Sequence, residues 1–342
     1  GTELLGFEKS PISAVMTAIL LGIVISNLVK LPSWLTPGFT FPVKKLLRLG
    51  IILLGIRLSI IEMFKLGALG VPIVVGCIAG ALFFTVVLSR RLQLPEKLGT
   101  LIAVGTSICG VSAIVATGPA IEAREEEVAY AVSVITVFGI IATLVYPYLA
   151  HIIFGGDAVR AGLFLGTAVH DTSQVTGSAL LYSEVFGSPE TLNVAVVTKL
   201  VRNIFMALVI PFMAYYYTRG NTAAGETKGK KKFSIAKYFP LFIIGFLLLG
   251  IVRSAGDMTL QRSGAAFGIL QPEQWQAGYG FLKTWAVNLL VIALAGVGLS
   301  TQFRQLKELG IKPFLAGLVA AVVVGLISFT LITLLGKFIT VI

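Results

Sequence analysis

The chain has 342 residues, 56% of them hydrophobic and 13% charged, with a mean hydropathy of +0.93 and a net charge of +11. Charged residues stand at roughly half the ~25% usual in soluble domains, and several apolar runs reach the ~20 residues that cross a bilayer core. A soluble protein could not hide so much apolar surface, so a polytopic membrane protein is expected. The basic excess lies largely in connections, which argues against nucleic acid and for cytoplasmic loops.

The first apolar segment covers residues 11–29. The start, Gly1-Thr2 without Met, reads as a trimmed or tagged end, and no cleavable signal peptide is visible. After a Pro- and Trp-containing connection, the collar Lys44-Lys-Leu-Leu-Arg48 precedes Leu49-Gly-Ile-Ile-Leu-Leu-Gly-Ile-Arg57-Leu-Ser59 and is placed inside. Arg57, deep in this run, either snorkels to the far interface or is a counter-charge to an anion or buried acid. Segment three, 70–88, carries Gly76-Cys-Ile-Ala-Gly80, a spacing that lets helices approach within one subunit or between two. Ser89-Arg-Arg-Leu-Gln-Leu-Pro-Glu-Lys97 is a second inside connection. Cys77 and Cys109 both fall in membrane segments, so no disulfide framework is expected.

A broken segment follows at 98–121. The acids Glu125 to Glu127 open the next helix, where they suit the positive end of the dipole. A second broken segment, 158–182, leads to a helix over 191–217 that carries Lys199, Arg202 and Asn203. Their spacing puts all three on one face. Residues 219–238, with Lys228-Gly-Lys-Lys-Lys232, read as a basic cytoplasmic loop. Three further spans are expected at 239–252, 279–298 and 314–335, with an outside loop over 253–276 and an inside return over 302–312. Gly296-Val-Gly-Leu-Ser300 faintly echoes Gly55-Ile-Arg-Leu-Ser59.

The two breaks are the octets Gly105-Thr-Ser-Ile-Cys-Gly-Val-Ser112 and Gly166-Thr-Ala-Val-His-Asp-Thr-Ser173. Each begins Gly-Thr and ends in Ser. Each is followed by a hydrophobic helix that closes on a matching Pro, Val145-Tyr-Pro147-Tyr-Leu-Ala150 and Val209-Ile-Pro211-Phe-Met-Ala214. A duplicated polar break is what a transporter built from internal repeats shows. Unpaired backbone groups are tolerated at membrane depth only where they are buried in protein or line a cavity. Half-helix N-termini there offer N–H donors and partial positive charge to an anion. The candidate substrate-binding residues are therefore Thr106, Ser107, Cys109, Gly110 and Ser112 from the first break. The second adds Thr167, His170, Asp171, Thr172, Ser173 and Gln174, and the following helix adds Lys199, Arg202 and Asn203. Buried basic groups outnumber Asp171, which selects an anion. The plainer alternatives are a buried ion pair of Asp171 with Lys199 or Arg202, and His170 as a satisfied core histidine.

Two geometries fit the breaks. About 24 helical residues at 1.5 Å each could cross the membrane outright, which would leave the copies parallel. As re-entrant hairpins, the first would enter from inside and the second from outside, with the tips meeting near the midplane about a pseudo-two-fold axis. Hairpins are the favoured expectation.

Leu47-Arg-Leu-Gly-Ile-Ile-Leu-Leu-Gly-Ile-Arg-Leu58, Gly105-Thr-Ser-Ile-Cys-Gly110, Glu125-Glu-Glu-Val-Ala-Tyr-Ala131 and Lys199-Leu-Val-Arg202 together resemble the YeiH-like family, bacterial inner-membrane proteins labelled as sulfate exporters. The likeness covers nearly the whole chain. It departs at Val169-His-Asp171, where the family tends to have Ile-His-Glu; the carboxylate is kept but is one methylene shorter. The resemblance implies a multi-pass protein of the bacterial inner membrane with internal pseudo-symmetry, dimeric, moving a small anion.

The expected architecture is all-α: a polytopic helical bundle with inverted internal repeats and two broken or re-entrant helices. A membrane region at 1–218 and another at 239–342 flank the loop 219–238. The expected function is secondary transport of a small anion such as sulfate or a sulfonate, by alternating access around the breaks. Proton coupling through His170 or Asp171, sodium coupling through unwound carbonyls, and a passive anion channel are the alternatives. No cofactor or metal is expected, and an enzyme using Cys109 and His170 lacks a third orienting group. The partners expected are a small anionic solute, the lipid bilayer and a second copy of the chain, with no nucleic acid.

Overall fold

A computed structural model describes residues 13–222, 239–301 and 311–336. Most of the basic loop and of the inside return therefore lie outside the described residues. The helices are α1 (Ala14–Leu28), α2 (Thr36–Phe41), α3 (Leu47–Leu54), α4 (Ile60–Arg91), α5 (Glu96–Ser107), α6 (Val111–Ala120), α7 (Glu125–Phe154), α8 (Ala158–Ala168), α9 (Thr172–Phe186), α10 (Pro189–Ile204), α11 (Met206–Thr222), α12 (Phe242–Ser263), α13 (Pro272–Leu299) and α14 (Ile311–Leu335). A π-helical turn over Pro42–Leu46 joins α2 to α3. Among the described residues no strand forms. Six stretches among the described residues are long and apolar enough to cross a membrane: α4, α7, α10 with α11, α12, α13 and α14. The protein is thus an all-helical, multi-pass membrane bundle.

Local chemistry sets the helix ends. Ser59 and Glu62 cap α4 reciprocally, the Glu62 amide donating to Ser59 Oγ at 3.2 Å and the Ser59 amide to Glu62 Oε2 at 2.7 Å. The acids at the start of α7 do the same work: the Arg124 amide donates to Glu127 Oε2 at 2.9 Å. Asp157 accepts from the Arg160 amide at 2.9 Å to start α8. Gly264, in the left-handed region, ends α12. That end is a correction, because the expected span at 239–252 was followed by a loop from 253. Polar residues here continue the helix: Arg253 pairs with Asp257 one turn on at 2.5 Å, and Trp275 Nε1 donates to Asp257 Oδ1 at 2.9 Å.

Both breaks are re-entrant hairpins. Lys97, at the start of α5, donates to the Glu122 carbonyl just past the end of α6 at 2.6 Å. A continuous crossing would hold these residues a membrane thickness apart. Likewise Thr191, at the start of α10, reaches the Ala158 carbonyl at the start of α8 at 3.2 Å. The end of α9 lies back against the end of α7, with Phe186 stacked on His151 at 3.8 Å between centroids. The first hairpin therefore opens on the end where α7 begins and the second on the end where α7 finishes. The span formed by α10 and α11 returns to the first end, where Tyr217 meets Thr100 at 2.6 Å. That end also gathers Lys30, Lys44, Lys45, Arg48, Arg90, Arg91, Lys97 and Arg124, which makes it cytoplasmic by the positive-inside rule.

The interior is densest around α10, two-thirds of whose span is buried, against 22% for α12 and 28% for α14. Small residues close the helix crossings. A Cβ on Gly22 would lie 2.7 Å from the Ala295 carbonyl oxygen, so α1 and α13 touch backbone to backbone. Gly76 and Gly80 receive Leu331 and Ile327 of α14, so this small-residue stripe serves packing within the chain. Arg57 ends a 3₁₀ turn beyond α3 and reaches the Pro189 carbonyl at 3.4 Å. It belongs to the far end of the bundle, as snorkelling would have it.

Candidate substrate-binding site

The two hairpin tips meet. Gly110 has φ +66° and ψ −126°, a conformation essentially reserved for glycine. A Cβ there would lie 3.0 Å from the Cα of Asp171. Helices α5, α8 and α9 have 12, 11 and 15 residues, about 18, 16 and 22 Å at 1.5 Å per residue. Against a core of ~30 Å, tips carried on such helices lie near mid-depth.

Four helix ends converge here, two of each sign. Helices α5 and α8 bring their C-termini, whose last carbonyls lack intrahelical partners. Those carbonyls are taken by α10. Arg202 donates through Nε to Ser107 O at 2.7 Å, through Nη1 to Thr167 O at 2.8 Å and Val169 O at 3.0 Å, and through Nη2 to Thr106 O. Lys199 Nζ donates to Ile108 O at 2.8 Å, to Val169 O at 3.3 Å and to His170 O. Both side chains are almost wholly buried, at 0% and 1% exposure. No carboxylate among the described residues forms an ion pair with either, so the buried pair of Asp171 with Lys199 or Arg202 is not present. Their countercharge is the negative ends of two helix dipoles. Asn203, one turn beyond Lys199, completes the face the spacing predicts and donates to Thr172 Oγ1 at 3.1 Å.

Helices α6 and α9 bring N-termini, and these open on a cavity of about 750 Å³. Its deep wall is Val111, Ser112 and Asp171 to Gln174, its sides include Ser133, Thr136, Ser300 and Thr301, and its basic rim is Lys44, Lys45 and Arg48. Since the rim lies at the cytoplasmic end, the cavity faces inward. The two N-termini differ. Asp171 caps α9, its Oδ1 accepting from the Ser173 amide at 2.9 Å and Ser173 Oγ at 2.7 Å. Gln174 ties this turn to α7, accepting from the Asp171 amide at 3.0 Å and donating to Thr136 O at 3.1 Å. Gly110 brings no side chain to cap α6, so the start of α6 meets the cavity through Val111 and exposed Ser112.

The candidates named from sequence thus divide. Ser112, Asp171, Thr172, Ser173 and Gln174 line the cavity. Lys199, Arg202 and Asn203 lie behind the tips. Thr106, Ser107 and Thr167 are buried, and their hydroxyls turn back onto their own helices, at 2.7 Å to Ile102 O, 3.2 Å to Val104 O and 2.6 Å to Leu163 O. Cys109 Sγ contacts Met206 Sδ at 3.5 Å. His170 is 1% exposed with no hydrogen-bond partner for either ring nitrogen. Sequence reasoning missed Ser133, Thr136, Ser300, Thr301 and the lining role of Lys44, Lys45 and Arg48. The basic collar was visible as a topology signal, and Ser300 lay in the faint echo of Gly55 to Ser59.

A helical bundle in which two hairpins meet at depth over a cavity is the architecture of a transporter-like membrane protein. The chain belongs to a conserved family of such membrane proteins: residues 3–317 match the family described as "Conserved hypothetical protein 698". It is 32% identical to a UPF0324 membrane protein of Fusobacterium nucleatum, over 94% of this chain and 90% of that one. It is also 32% identical to UPF0324 membrane proteins of Streptococcus agalactiae, over 97% and 93%, and of Corynebacterium glutamicum, over 96% and 87%. No solved structure matches.

Proposed function

We propose that the chain is a secondary transporter of a small inorganic or organic anion, held at the open N-terminus of α6 and exchanged between the two membrane faces by alternating access around the hairpin tips. The carrying observation is that α6 and α9 turn their N-termini into an inward cavity rimmed by Lys44, Lys45 and Arg48, while the helix ends of opposite sign are shut away by Lys199 and Arg202. Backbone amides and hydroxyls at such a terminus recognise an anion by fixed dipoles, and the basic rim concentrates it. Sulfate or a sulfonate is the solute that the YeiH-like resemblance suggests, with export as its direction. Opposite entry of the two hairpins supports descent of residues 98–217 from an inverted duplication, and a homodimer belongs to the same proposal.

In this scheme Lys199 and Arg202 set the shape of the tips and do not touch the solute. Asp171 lines the cavity, where its carboxylate weakens the hold on a bound anion. Counterflow of labelled sulfate and simple sulfonates in proteoliposomes tests the proposal. Saturable counterflow that weakens about tenfold in apparent affinity in Ser112→Ala, with unchanged thermal stability, is the expected outcome. Flux that never saturates and shows no counterflow would instead identify a passive channel, and folded protein without flux of any anion would refute transport.

A further inference from the structure

We propose that the junction of the two hairpins is a cation site that this chain fills with its own side chains, so that transport runs without sodium. The inference deepens the transporter reading and rests on it only for the word transport. Half-helix C-termini and unwound carbonyls in mid-membrane are the groups that hold a coupling sodium ion in secondary transporters. Here the corresponding oxygens are those of Thr106, Ser107 and Ile108 from one hairpin and Thr167, Val169 and His170 from the other. Every one of them accepts a hydrogen bond from Lys199 or Arg202.

Lys199 Nζ lies against Ile108, Val169 and His170, one acceptor for each N–H bond of an ammonium, and a guanidinium is always charged. Two basic side chains therefore fill the cage, tethered to α10 and buried. A sodium ion arriving there would meet carbonyls already engaged by Lys199 and Arg202, in a setting where like charges repel far more strongly than in water. The ammonium is the side chain whose place an alkali ion most nearly fits, being a compact charge with several oxygen neighbours.

The test uses purified full-length protein in detergent, with thermal unfolding and binding of radioactive sodium read in sodium chloride against choline chloride at equal ionic strength. Wild type is expected to melt at the same temperature in both salts and to bind no saturable sodium. Lys199→Met keeps the chain length but frees the carbonyls; it is expected to melt lower in choline chloride and to recover part of that loss in sodium chloride. Saturable sodium binding or sodium-specific stabilisation of wild type would overturn the proposal, as would a folded Lys199→Met protein indifferent to sodium. If that variant does not fold, the wild-type measurement still decides, and Lys199→Arg, which keeps the charge, is expected to fold and stay indifferent to sodium; a sodium response in it counts against the proposal. Failure of anion counterflow, by contrast, would remove the transport reading and leave the filled cage standing, because sodium binding is read without any transported solute.

Discussion

Arg202 is wholly buried, and the partners of its guanidinium are backbone carbonyls from both breaks. An unsatisfied buried polar group costs about 1–3 kcal/mol, and Arg202→Met would strand several at once. The variant is expected to lose at least ~3 kcal/mol, read as a large fall in melting temperature; a melting point within about a degree of wild type would show that the carbonyls find other partners. Asp171 makes a different prediction. Asp171→Asn keeps an Oδ1 that can accept from Ser173, so the cap and the stability should survive. Since the variant removes a negative charge from the cavity wall, its apparent affinity for the anion in counterflow should tighten, and an unchanged affinity would show that Asp171 does not face the solute. That Lys199, Arg202 and Asn203 share a face was legible from their spacing. That the two cations answer helix carbonyls rather than a solute was not, because the acceptors are main-chain groups, identical in every residue and invisible to sequence.

At the scale of elements, the octets marked both breaks within a residue or two, since Gly, Ser and Thr in an apolar run have few other uses. Whether each segment doubled back was not legible from loop charges, because hairpins and full crossings keep the same basic loops inside. The deciding contacts, Lys97 with Glu122 and Thr191 with Ala158, join residues far apart in sequence. Helix α12 shows the opposite error: Arg253 and Asp257 looked like the end of a span, yet they pair along the helix and extend it. Gly110 ties local conformation to the site. Gly110→Ala must place a Cβ in a glycine-only region, costing about 1–3 kcal/mol, and press it against Asp171. The expectation is a folded but less stable protein with impaired anion counterflow, whereas wild-type stability together with wild-type flux would show that the tips tolerate separation.

For the whole molecule, the charge pattern sets the orientation, and the hairpins and the cavity take their directions from it. Cys77 and Cys109 are buried, so an introduced cysteine can be read above a quiet background. Lys44→Cys and Ser112→Cys are both expected to react with a membrane-impermeant maleimide from the cytoplasmic side, with Ser112→Cys protected by the transported anion. Labelling of Ser112→Cys only from the opposite face would reverse the assignment of the cavity. The bundle itself was evident from composition alone, whereas the collar at 44–48 told only its sidedness and not that it lines the cavity.

Because α10 is bonded through two side chains to both hairpins, none of the three can slide past the others without stranding charge in a place water does not reach. In the proposed transporter, a switch of access would therefore move them as a single carriage. The sliding surfaces then fall where the cavity wall changes hands, against α3 and the cytoplasmic end of α13, and the solute would ride with the tips while those walls stand still.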